Sequence, residues 1–156
     1  MTAVASDVVS VITHHHAELA EALTGRVDAL VTAARLGAPY DEPTGGLREL
    51  LAHDIVPHAR AEEDVLYAAA TEAPLRPLVA GMVFEHETLL ALAGRLNAAT
   101  SAVDAAATAF AIQAVFLGHV RRENELLLPA LAADPLVDLP DLLPQMERRF
   151  VEYRSA

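Results

Sequence analysis

Two stretches decide how this chain is read: Pro57-His-Ala-Arg-Ala-Glu-Glu-Asp-Val-Leu-Tyr67 and Gly118-His-Val-Arg-Arg-Glu-Asn-Glu-Leu-Leu-Leu-Pro129. In each, a histidine is followed one helical turn later by a glutamate: His58 by Glu62, and His119 by Glu123. On an α-helix that interval puts both side chains on one face, where they can share a metal ion. The same face is apolar. Ile55 precedes His58, and Val65 and Leu66 follow Glu62; Phe116 precedes His119, and Leu126 and Leu127 follow Glu123. The spacing predicts two amphipathic helices that each turn a histidine and a glutamate into the core. A carboxylate buried there without a partner costs several kcal/mol or takes up a proton. A cation removes that cost.

Outward from these stretches, the chain reads as four long helical segments. The first runs from about Asp7 to Leu36, with Ile12, Leu19, Leu23, Val27 and Leu30 at helical spacing. Gly37, Pro39, Asp41, Pro43, Gly45 and Gly46 predict a loop after it. The second runs from about Leu47 to Ala70, and Pro57 inside it should free the carbonyl of His53 and bend the helix. The third starts near Pro74 and ends near Ala99, with Val79, Val83, Leu89, Leu90 and Leu96 as its stripe. The fourth covers about Val103 to Ala132, closed by Asp134-Pro135, and a tail helix lies within about 141–154. Short connections between long amphipathic helices predict an all-α fold: an antiparallel up-down-up-down four-helix bundle with a short C-terminal helix. We expect a single domain over residues 1–156, its bundle core at about 7–132.

The chain also repeats itself. His16-Ala-Glu-Leu resembles His86-Glu-Thr-Leu, and the two His-x-x-x-Glu stretches resemble each other. The unit is one helix with a single histidine, then one with His-x-x-x-Glu. Two copies predict a pseudo-symmetric centre with His16 and His58 on one metal, His86 and His119 on the other, and Glu62 and Glu123 bridging both. His14, His15 and His16 are consecutive. His14 lies about 200° from His16 around the helix and faces water, whereas His15, about 100° away, is the alternative ligand. His53 falls off the metal face. Glu63, Glu85 and Glu125 are expected to be solvated or to sit behind the ligands, where a metal-bound histidine donates its other ring nitrogen. Tyr67 is expected at the edge of the core. Leu90 is one turn beyond His86, so it is expected to project over the same face and line a small-molecule pocket beside that metal.

Composition narrows the chemistry. The chain has 156 residues, 53% of them hydrophobic, no cysteine, and a formal net charge of -11. Without cysteine there are no disulfides, thiolate sites or iron–sulfur clusters, so a metal is held by nitrogen and oxygen. Such an acidic surface repels phosphate backbones and offers no polybasic membrane patch, so neither nucleic acid nor a membrane is an expected partner. The N-terminal stretch has no basic n-region, and the apolar run from Ala105 to Gly118 is too short for a bilayer, so we expect a cytoplasmic monomer or homodimer. Imidazole plus carboxylate points to non-haem iron with open positions, and Zn or Mn suits the same groups. His-Glu-x-x-His and Glu-x-x-His are both missing, which sets aside the zinc proteases and the common ferritin-like arrangement.

The pattern His16, His58-x-x-x-Glu62, His86, His119-x-x-x-Glu123 resembles the hemerythrin-like (HHE) cation-binding domains over roughly residues 8–132, with Phe84-Glu-His-Glu-Thr-Leu-Leu90 adding to the two stretches quoted above. The resemblance implies a di-iron centre with an oxo or hydroxo bridge that meets oxygen, peroxide or nitric oxide. The oxygen-carrying hemerythrins have a second histidine where this chain has Leu90, and a more distant aspartate where it has Glu123. These departures imply one iron with fewer imidazoles, and a reactive or sensing role rather than reversible oxygen carriage. Outside the metal centre no catalytic residue is assigned. Two other functions fit the same residues: a metal-responsive adaptor, and a structural bundle with a redox-silent ion.

Overall fold

The computed structural model describes residues 3–71 and 74–156. Among them it is all-helical, with five helices: α1 (Ala3–Leu36), α2 (residues 41–69), α3 (Arg76–Asn97), α4 (Ala102–Ala133) and α5 (Leu139–Arg154). α1 stops where Gly37 takes a positive φ of 62°, a conformation cheap only for glycine. Ala38 N–H then closes on Ala33 O at 2.9 Å, the wrap that satisfies the last carbonyls of a helix. At the start of α4, Ser101 accepts a hydrogen bond from the Asp104 amide.

α2 begins at Asp41, inside the stretch read as a loop. Asp41 and Glu42 favour the positive end of the helix, and Pro43 occupies the first turn, where no amide has an intrahelical acceptor anyway. The glycines that suggested a loop are tolerated because α2 packs on α1 and Leu47 is fully buried. α5 likewise starts slightly before the expected residue 141, at Leu139, with Pro140 in its first turn.

Three π-turns interrupt the long helices, at Leu51–Ile55, Glu63–Tyr67 and Glu123–Leu127. The first ends just before Pro57: Val56 N–H reaches back to Leu51 O, and the helix continues through the proline. The third ends just before Pro129, with Leu128 N–H on Glu123 O. Such a turn accommodates one extra residue and shifts the buried face. Hence Val65, Leu66 and Tyr67 are buried in succession, and Leu127 and Leu128 fill the core while Leu126 is exposed, contrary to the periodic reading.

The core has two apolar layers. One contains Leu19, Leu23, Leu30, Leu47, Ile55 and Phe116; the other contains Ile12, Leu66, Met82, Leu127, Leu131 and Met146. Along α1 and α3 the second layer comes first, whereas along α2 and α4 the first layer comes first. Between the layers lies a polar slab: His16, His58, Glu62, His86, His119 and Glu123, all buried. α4 is the one helix among the described residues long and apolar enough to span a bilayer, yet it carries His119 and Glu123 of this slab. α5 packs on the α2 segment that bears His58 and on the first half of α1, with Tyr153 O–H donating to Asp64 at 2.6 Å.

Candidate metal centre

Each of the four long helices brings one histidine to the slab, and α2 and α4 add a glutamate each. Glu62 is at the middle. Its Oε1 lies 3.1 Å from His16 Nε2 and 2.7 Å from His58 Nε2, while its Oε2 lies 3.6 Å from His86 Nε2 and 3.9 Å from His119 Nε2. The donor atoms therefore fall into two groups that share Glu62: His16, His58 and Glu62, then Glu62, His86 and His119. Glu123 Oε2 also faces both, 3.5 Å from His16 Nε2 and 3.7 Å from His119 Nε2.

The outer ring nitrogens are tied down. His86 Nδ1 donates to Glu63 Oε1 at 2.7 Å, His119 Nδ1 to Glu85 Oε2 at 3.1 Å, and His16 Nδ1 to Asn124 Oδ1 at 2.7 Å. A carboxylate or amide oxygen can only accept, so each of these nitrogens carries the proton. In the neutral ring Nε2 is then a bare lone pair. Two such lone pairs, on His86 and His119, stand 3.1 Å apart, and that of His16 faces carboxylate oxygens. Lone pairs held this close repel unless a cation lies between them. Metal–nitrogen and metal–oxygen bonds of about 2.1 Å place neighbouring donors about 3 to 3.5 Å apart, and the inner donors here stand 2.7 to 3.9 Å from one another. His58 Nε2, Glu62 Oε2 and both oxygens of Glu123 are buried with no hydrogen-bond partner. The residues thus fit metal ions.

The electrostatics agree. Burial, together with the nearby carboxylate of Glu62, pushes the Glu123 carboxyl well above the ordinary range. Burial also works against the charge on Glu62, but the surrounding histidines, His58 foremost, hold its carboxyl well below that range. Burial and neighbouring His119 push His86 down, which favours the neutral ligand form. Tyr67 stacks on His86 with ring centroids 5.6 Å apart, and its hydroxyl stands 3.3 Å from His119 Nε2. Its pKa is driven far up by burial and by Glu62 and Glu123, so it remains an O–H donor.

The profile of the hemerythrin HHE cation-binding domain matches residues 7–133. The chain belongs to the hemerythrin HHE cation-binding family. No curated protein and no solved structure gives a match. The HHE match ends just before α5 and encloses every residue of the buried slab.

Around this HHE centre the remaining expected residues take varied places. His16 joins the slab, whereas His15 is half-buried beside it, its ring edge-on to His58 at 5.0 Å. His14 and His53 are exposed. Glu63 and Glu85 lie behind His86 and His119, and Glu85 also pairs with Arg122; Glu125 pairs with Arg121 at the surface. Leu90 is 46% exposed and forms part of the wall, with His86 and Glu63, of a small cavity of about 140 Å³ between α2 and α3. Its expected position over the core face is corrected. The buried stripe of α3 is Met82, His86, Leu89 and Leu96; His86 stands at one edge of it, so Leu90, about 40° further round the helix, falls on the flank. Asn124 escaped the sequence reading. The signal was present in the repeat, because Asn124 follows Glu123 as Glu63 follows Glu62, and each accepts from the lone histidine of the other half.

Proposed function

We propose that this chain is a non-haem di-iron protein that reacts with a small oxidant, namely oxygen, peroxide or nitric oxide, in sensing or detoxification. One iron is assigned to His16 and His58, the other to His86 and His119, with Glu62 and Glu123 bridging, in an antiparallel up-down-up-down bundle. The alternating order of the two apolar layers along α1 to α4 supports that topology. The observation that carries the assignment is the pair of donor groups sharing Glu62, with unprotonated Nε2 atoms turned on one another.

When bound, two ferrous ions supply two electrons to an oxidant without a further cofactor. The protein's own part is positional. The two apolar layers exclude water from the slab; Glu63, Glu85 and Asn124 fix the ring orientations; Tyr67 keeps one O–H beside the ligand nitrogens. Iron analysis of the purified chain should give two ions, with the near-ultraviolet and visible absorption of a bridged ferric pair, and the reduced form should consume peroxide. A redox-silent zinc protein without that absorption would overturn the reading. Peroxide inertness with intact iron would leave a metal-responsive adaptor.

A further inference from the structure

The two ends of the centre differ in what stands behind the imidazoles. At one end, both outer nitrogens donate to carboxylates: His86 to Glu63, and His119 to Glu85, which Arg122 holds in turn. At the other end, His16 donates to the neutral amide oxygen of Asn124. No hydrogen bond ties the outer nitrogen of His58 to a side chain among the described residues. Instead His58 borders a cavity of about 300 Å³ beneath α5, lined also by Ile12, Ala61, Met146 and Phe150.

We infer that the two metal positions are unequal. The position of His86 and His119 holds its ion tightly, and the position of His16 and His58 is the exchangeable one, beside the cavity under α5. The inference rests on the two-ion reading above. A carboxylate behind an imidazole makes it more basic and fixes its orientation, and losing such a partner weakens metal affinity by about 10- to 100-fold. An amide fixes the ring without lending it charge, and a ring with no side-chain acceptor gains none either. Glu63, Glu85 and Asn124 are therefore positioning residues that rank the two sites.

The test uses the full chain stripped of metal and titrated with Co(II), read by calorimetry and by the visible bands of the bound ion. The wild type should take up two ions in two steps separated by about tenfold or more. His58→Ala should remove the weaker step and keep the tighter one. Asn124→Asp should strengthen the weaker step and Asn124→Ala should weaken it, both leaving the tighter step in place. Glu63→Gln or Glu85→Gln should weaken the tighter step by about tenfold. Helical circular dichroism checks that each variant folds. Two equal steps, loss of the tighter step in His58→Ala, or an effect of Asn124 variants on the tighter step overturns the ranking. A wild-type total of one ion overturns the two-ion reading itself, whatever the ranking.

Discussion

The two His-x-x-x-Glu segments of α2 and α4 are near copies, and the structure gives them different surroundings. Both place a histidine and a glutamate in the buried slab, and both follow with a π-turn that brings a run of apolar residues back onto the second core layer. Yet His119 is backed by Glu85 from the neighbouring helix, whereas His58 sits against His15 and a cavity roofed by α5. Repetition preserved what the metal requires, the inner face. The outer face followed whichever helix packs against it, so equal motifs yield unequal sites.

The largest expected effect tests whether the ends are joined. Glu62 faces all four histidines, so Glu62→Ala should lose both ions, and with them much of the stability, since binding free energy is also folding free energy. Metal analysis and thermal unfolding read this out. Retention of one full equivalent would mean that Glu62 does not bridge. Next, His16→Ala and His119→Ala should each empty one position only, and loss of both ions from either would dissolve the distinction between the ends.

α5 closes over the cavity beside His58, and a packing mutation there can sharpen the comparison. Met146, on α5, is buried in the second core layer and lines the cavity beside His58. Met146→Ala should cost about 2–5 kcal/mol in denaturant unfolding. It should also speed exchange of the ion at His16 and His58, while leaving that at His86 and His119 unchanged.

A smaller effect concerns pH in the metal-free chain. Glu123, facing Glu62, His16, His119 and the Tyr67 hydroxyl, has its folded pKa raised. A raised carboxyl favours folding fully below its unfolded pKa of about 4.3, and that contribution is lost as pH rises toward the folded value. The lowered pKa of Glu62 acts oppositely, its contribution fading as pH falls. Metal-free Glu123→Gln should therefore lose less stability than the wild type as pH rises from the acid side. Identical pH profiles would contradict the raised pKa of Glu123. The smallest effect belongs to Leu90. Being at the flank of α3, Leu90→Ala should keep both ions and change stability by about 0.5 kcal/mol. A lost ion would return Leu90 to the core face.

Much of the fold and of the site was legible because helical spacing is a local property. Residues a turn apart share a face whatever the rest of the molecule does, so His58 with Glu62 and His119 with Glu123 could be paired from their numbers alone. The stripe from Ile12 to Leu30 on α1 is buried as its periodicity predicts. Periodicity failed where the helix departs from regular geometry. The π-turn after Glu123 exposes Leu126, and no local pattern announces where an extra residue will be absorbed. It failed again at Asp41, where packing on α1 overrides the glycines' preference for a turn.

The sequence by itself determined the helical class, the four inward histidines, the two inward glutamates and the family to which they belong. Only the tertiary structure decided that His16 rather than His15 enters the slab, that Asn124 supports His16, that Leu90 stands aside, and that α5 closes over His58. The reason is physical. A helix's own period ranks its residues by angle, but which angle faces the core, and what meets the far side of each ring, depends on neighbouring helices distant in sequence.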